Sequence, residues 1–329
     1  VETEVFSPVA LEVDPDPLGS DGNGVFEPEE SVEVAPSWRN DGMFAQTVTG
    51  AASGFTGPPG PNYVLVDGDA AYGTVDPGAI AGCQDLAACY AMEIGPPGVE
   101  RPAVHWDASF DETLSEESAK TWTLHIGDSF LDVPRSSLFY SVVETFLHNG
   151  VSSDPLLARF DLPLVGCSDT EFCPALPNSR AEAAVFLLKG LEGGGFDPPD
   201  CVSGSELFDD VPADDPFCPW IEELAGRGVT AGCGGGNYCP NNTVSRDQIA
   251  VFLLKTLEAP GYTPPACTGV FEDVSCPSLF ADWIEDLFAR GVTAGCGAAP
   301  ARYCPADAVR RAQTAALVVK MFELALYGP

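Results

Sequence analysis

Positive charge is scarce in this chain: 15 Lys and Arg stand against 49 Asp and Glu in 329 residues, a formal net charge of −34. That balance argues against nucleic acid and against an anionic membrane surface as partners. Histidine is nearly absent, at three residues, His105, His125 and His148. None accompanies a nucleophile in a known motif; there is no HExxH, no GxSxG and no phosphate-binding GxxxxGK. Adjacent carboxylates such as Asp209-Asp210 and Glu222-Glu223 face apart on a helix or strand and make no acid–base dyad. His148 suits a helix C-terminus, where an imidazole meets the negative end of the dipole. No enzyme is expected. Long apolar runs are missing too, so no bilayer span is expected. The chain starts at Val1 without methionine, which suits a mature secreted protein whose signal peptide has been removed.

The acid is unevenly spread. Residues 1–127 hold 22 acidic and 3 basic side chains, net −19, a surface that attracts divalent cations. Short β-rich runs recur here: FSPVALEV, SVEVAPSW, AQTVTGAA, NYVLVD, ACYAMEI, AVHWDASF and KTWTLHI. Gly, Pro and Asp clusters separate them, and no amphipathic helix of useful length intervenes. That spacing predicts an antiparallel β-sandwich of immunoglobulin-like type, with Trp38, Trp106 and Trp122 in its core or rim. Between the first two runs, DPDPLGSDGNGVFEPEE alternates oxygen-bearing side chains around glycine and resembles the start of a calcium loop. Calcium takes six to eight oxygen ligands. Asp21, Asn23 and Glu30 are the first candidates, with Asp16 and Glu27 beside them; the alternative is an acidic turn that holds no ion.

The C-terminal part contains one passage three times. The copies run from FLDV, FDDV and FEDV to closing lysines at Lys189, Lys255 and Lys320, 66 and 65 residues apart. A fixed period means one supersecondary unit that stacks on its neighbours. In the second copy Ile221, Leu224 and Ala225 form an apolar stripe that ends at Gly228. A Gly-, Asn- and Pro-rich loop follows, and Thr243 or Ser245 caps a second helix through Ile249, Leu253, Leu254 and Leu257. The unit is helix, loop, helix.

Twelve cysteines fall into close pairs: Cys83 with Cys89, Cys167 with Cys173, Cys201 with Cys218, Cys233 with Cys239, Cys267 with Cys276 and Cys296 with Cys304. Recurrence at matching repeat positions points to six local disulfides and an oxidising compartment. Zinc competes, but structural zinc prefers tighter spacing and gathers four ligands in one place.

The repeats resemble the S-layer homology domain, a family of bacterial surface proteins. The likeness spans roughly residues 128–329, and its strongest match is the helix-opening Ser179-Arg180-Ala181-Glu182, with Ser245-Arg246-Asp247-Gln248 and Arg310-Arg311-Ala312-Gln313 in the other copies. The resemblance implies carbohydrate binding by Arg180, Arg246 and Arg311, assisted by Trp220 and Trp283. The other reading is that each arginine anchors its repeat against the next through backbone carbonyls or carboxylates. The expected architecture is multidomain α+β: an all-β immunoglobulin-like sandwich (1–127), then an all-α array of three repeats (128–196, 197–262 and 263–329). The expected role is structural, on the cell surface or in an extracellular lattice or fibre made of this chain itself. A cell-envelope polysaccharide anchor is the alternative. An apolar insertion in the first copy, with Leu156, Leu157, Phe160 and Leu162, and the stretch Val5 to Val13 are the candidate assembly contacts.

Overall fold

The computed structural model describes residues 5–15, 20–95, 101–151, 167–168, 170–258, 260–299 and 301–329. The chain is α+β and divides into two compact units, residues 1–144 with 325–329 and residues 145–324.

The first unit is built from β1 (Phe6–Val13), β2 (Ser31–Asn40), β3 (Gln46–Thr56), β4 (Tyr63–Asp67), β5 (Asp69–Val75), β6 (Ile80–Gly82), β7 (Tyr90–Ile94), β8 (Asp107–Leu114) and β9 (Ala119–His125). One antiparallel sheet has the order β1-β2-β7-β4, with β6 also on β2; the other has the order β5-β3-β8-β9. Both send side chains into one core that includes Trp38, Trp106 and Trp122, all three expected inside or at the rim. The seven β-rich runs of the sequence all contribute strands. β5 and β6 were not legible, because β5 carries Gly73 at φ +70° and β6 is three residues long.

Period-two alternation explains the burial of β8, where Ala108, Phe110, Glu112 and Leu114 point inward. Glu112 therefore occupies a core position. Its Oε1 accepts hydrogen bonds from the hydroxyls of Tyr72 and Tyr90, the latter at 2.7 Å. Its Oε2 accepts from the indole nitrogens of Trp38 at 3.1 Å and Trp122 at 2.7 Å. Gly50 of β3 makes room: a Cβ there would fall 2.2 Å from the Tyr90 hydroxyl and 2.7 Å from Glu112 Oε1.

The division of the chain differs from the sequence-based boundaries at both ends. Residues 128–144, assigned from sequence to the first repeat, and 325–329, assigned to the third, belong with the β-rich unit. Tyr327 is the reason at the C-terminus. Its buried hydroxyl accepts from the Phe26 amide and donates to the His125 carbonyl, both at 2.9 Å.

The unit boundary falls within α1 (Tyr140–His148). The second unit holds α2 (Arg180–Glu192), α3 (Cys218–Gly226), α4 (Arg246–Leu257), α5 (Ala281–Ala289) and α6 (Arg311–Met321). Helices α2, α4 and α6 open on the repeated motif. Ser179 caps α2 reciprocally with Glu182: the Glu182 amide donates to the serine hydroxyl at 3.2 Å, and Glu182 Oε2 accepts from the Ser179 amide at 2.8 Å. Glutamine does the second half of that work in α6, where Gln313 Oε1 accepts from the Arg310 amide at 3.0 Å. Replacing the motif glutamate therefore leaves the helix start intact.

The residues just before these three openings meet in a closed triangle. The Asn178 amide donates to Val309 O at 2.8 Å, the Val309 amide to Val244 O at 2.9 Å, and the Val244 amide to Asn178 O at 3.0 Å. The helix openings thus form a ring rather than the open stack that a sequence period alone suggests. All six expected disulfides are present and no cysteine is free.

Candidate functional site

The motif arginines lie at the junctions of the ring. Arg180 Nε donates to Tyr238 O at 2.9 Å, Arg246 Nε to Tyr303 O at 2.7 Å, and Arg311 Nε to Phe172 O at 2.9 Å. Each guanidinium also stacks on the same residue's ring, 4.7, 4.8 and 5.1 Å from the centroid. Their exposures are 5%, 8% and 3%. Each arginine thus ties the start of its helix to a backbone carbonyl far along the chain.

The FDDV and FEDV motifs serve the same junctions. Asp210 accepts from the amides of Tyr238 and Cys239, and Asp273 from those of Tyr303 and Cys304, all at 2.7 or 2.8 Å. The tyrosine hydroxyls complete two junctions by donating to Arg180 O and Arg246 O, each at 2.8 Å. Phe172 has no hydroxyl to donate; at that junction Glu182 Oε1 instead pairs with Arg311 Nη1 at 2.6 Å.

A recess of about 360 Å3 opens at the C-terminal end of α4, lined by Arg227, Gly228, Lys255, Tyr262, Thr263 and Trp283 among others. Lys255 Nζ lies 5.9 Å from the Trp283 ring centroid and 3.3 Å from Gly228 O. Tyr262 meets Trp283 edge-on at 6.1 Å. The preceding copy repeats the pattern with Lys189 5.7 Å over Trp220 and Phe196 edge-on to it at 6.0 Å. There, however, Lys189 and Trp220 are each 1% exposed, whereas Lys255 and Trp283 are half-buried. Of the two expected tryptophans, Trp283 lines an open recess and Trp220 is buried. The lysines were visible in the sequence as the recurring end of each copy, a signal of a shared role that spacing alone did not interpret. A larger, shallow recess of about 760 Å3 in the β-rich unit is walled by Ala51, Ala70, Ala71, Ala87 and Ala88 with Asp67 and Asp69, and its lining has neither cation nor aromatic ring.

The acidic loop between β1 and β2 is the second candidate site. Asp14, buried at the end of β1, accepts from the Ser20 hydroxyl and from the Asn23 amide, the latter at 2.8 Å. Glu30 Oε1 accepts from the Asp21 amide at 2.8 Å. Asp14, Asp21 and Glu30 each bring a carboxylate oxygen within 4.8 Å of the others. Asn23 Nδ2 donates to Glu27 Oε1 and its Oδ1 accepts from the Val25 amide, both at 2.8 Å. Glu27 is fully buried; burial first, then its hydrogen bond with Glu30, push its pKa up to about 9. Burial likewise raises that of Asp14. Asp16 lies outside the described residues, as do the assembly candidates Leu156, Leu157, Phe160 and Leu162. The other assembly candidate, the stretch from Val5 to Val13, is taken up as β1, paired along β2 with a bulge between Pro8 and Ala10.

Histidine contributes a buried cluster that the sequence did not suggest. His125 engages both ring nitrogens, Nδ1 with Asp107 at 3.2 Å and Nε2 with Glu144 at 2.8 Å. Burial pulls its pKa down, and the two carboxylates more than reverse this.

Residues 207–250, which span the FDDV segment, α3, the disulfide loop and the start of α4, match the S-layer homology domain. An amylopullulanase of Thermoanaerobacterium thermosulfurigenes is 31% identical over 104 residues, which cover 32% of this chain and 5% of that protein. Exoglucanase XynX of Acetivibrio thermocellus is 26% identical over 156 residues, 46% of this chain and 13% of that protein. The chain thus spans a small fraction of the curated relatives it matches.

Proposed function

We propose that this chain is a cell-surface anchoring module whose helical unit binds a cell-envelope polysaccharide in the recess between Lys255 and Trp283. The S-layer homology match at 207–250 supports an extracellular, surface-bound setting, and the six disulfides suit a secreted protein. The observation that carries the site is the half-buried pair of Lys255 and Trp283 with Tyr262 beside it. An aromatic face takes the apolar face of a sugar ring, while the ammonium meets its hydroxyl or acidic groups. In a chain of net charge −34, a local cation is what lets an acidic polymer approach. We read the β-rich unit as an immunoglobulin-like domain displayed outward, on the strength of its two antiparallel sheets around one core. Self-association into a lattice or fibre is the second reading; of its two candidate contacts, one lies outside the described residues and the other, Val5 to Val13, contains β1, which pairs with β2.

The test is co-sedimentation with purified envelope sacculi of the producing bacterium. Trp283→Ala and Lys255→Ala should each weaken retention about tenfold without changing the melting of the chain. If the double variant sediments as the parent does, the recess is not the binding site.

A further inference from the structure

We propose that the β1–β2 loop is a calcium site, with the carboxylates of Asp14, Asp21 and Glu30 as its protein ligands and Glu27 completing the acidic wall. Two observations independent of the acidic composition point to a missing cation. Glu27 Oε2 and Glu30 Oε2 are buried and have no hydrogen-bond partner. These side chains are 0% and 7% exposed, and the two carboxylates lie within hydrogen-bond reach of each other. Oxygens so placed normally find a donor or an ion, because an unsatisfied buried polar atom costs about 1–3 kcal/mol. Among the described residues, Arg135 faces Glu27, with its Nε 3.9 Å from the other oxygen of that carboxylate. It is drawn to Asp128, which its Nε and Nη2 both engage. One guanidinium shared in this way does not match the three carboxylates of Asp14, Asp21 and Glu30.

The donor set selects the ion. All candidate ligands are oxygen, with no sulfur or imidazole nearby in the loop, which selects a hard cation. Several protein carboxylates converging in an irregular loop suit calcium better than magnesium, which keeps most of its waters and demands octahedral geometry. The ligand set also differs from the one expected from sequence. Asn23 holds the loop in shape, its Nδ2 donating to Glu27 and its Oδ1 accepting from the Val25 amide. Asp14, which sequence reading passed over, supplies a buried carboxylate at the exit of β1, while Glu30 stands at the entry of β2. An ion bound between them closes the loop and ties two neighbouring strands, so it stabilises the β-rich unit by mass action.

The experiment is isothermal titration of calcium chloride into the full chain after chelation, at physiological ionic strength and over a background of magnesium. One saturable calcium per chain is expected, with a rise in the melting temperature of the β-rich unit. Asp21→Asn, at the exposed corner of the loop, and Glu30→Gln should each weaken this binding about tenfold or more, while Asp85→Asn, outside the loop, leaves it unchanged. Circular dichroism establishes that each variant is folded before titration; Asp21→Asn, exposed, keeps the test open if Glu30→Gln unfolds. Absence of saturable binding to the folded parent at millimolar calcium overturns the proposal. So does binding that magnesium abolishes, or that folded Asp21→Asn retains at parental strength, since either marks diffuse attraction to an acidic surface.

Discussion

Glu112 offers the sharpest test of how the β-rich unit is held together. Its carboxylate takes four hydrogen bonds, from Tyr72, Tyr90, Trp38 and Trp122, at a core position of β8. Replacing a complete buried ionic cluster with apolar residues can be neutral or stabilising, but removing one partner strands the rest. Glu112→Leu leaves four buried donors with no acceptor, at roughly 1 kcal/mol or more each, partly offset by no longer burying a carboxylate. The expected net loss is about 3–5 kcal/mol. Glu112→Gln should cost less, about 1–2 kcal/mol. Its oxygen can serve both indoles, and its amide can donate to the tyrosine hydroxyls, which rotate to accept. The pH dependence has a definite sign. Burial, the largest influence, raises the Glu112 pKa above 4.5, and the four donors oppose it without cancelling it. The folded chain then keeps a proton that the unfolded chain has released. The contribution is complete below pH 4.5 and is lost as pH rises through the folded pKa. Urea unfolding followed by tryptophan fluorescence, at several pH values, reads both effects. A leucine variant as stable as the parent would refute the account, and so would a parental slope in this window that survives Glu112→Gln.

Two further changes probe the helical unit. Gly232→Ala should destabilise it by about 2–4 kcal/mol, because Gly232 has φ +84° and a Cβ would sit 2.2 Å from Asn237 O; a thermal melt unchanged from the parent contradicts this. Tyr303→Phe should cost about 1 kcal/mol, the worth of its bond to Arg246 O, measured by urea unfolding. No loss would mean that ring stacking and the bond from Arg246 Nε to the Tyr303 carbonyl hold that junction unaided.

Much of this molecule was legible in the linear chain because it is encoded locally. The seven β-rich runs, the helix starts at Ser179 and Ser245 and all six disulfides depend on residues close in sequence, within 17 positions even for Cys201 and Cys218. Period, capping chemistry and cysteine spacing act over that range, so reading them needs no knowledge of the fold. What the sequence could not decide was direction and partnership. It offered two roles for Arg180, Arg246 and Arg311, and their burial in the ring came from packing: Arg311 reaches a carbonyl 139 residues away. Glu112 read as one more acid in an acidic chain until four donors from four other strands closed on it. Asp14 stood in the acidic passage without being singled out as a ligand, and Tyr327 lay within the bounds of the third repeat. A side chain's chemistry is set by which surfaces the folded chain brings against it. For these residues the decisive neighbours lie far along the chain or depend on how a loop folds back, so only the tertiary structure assigns their work.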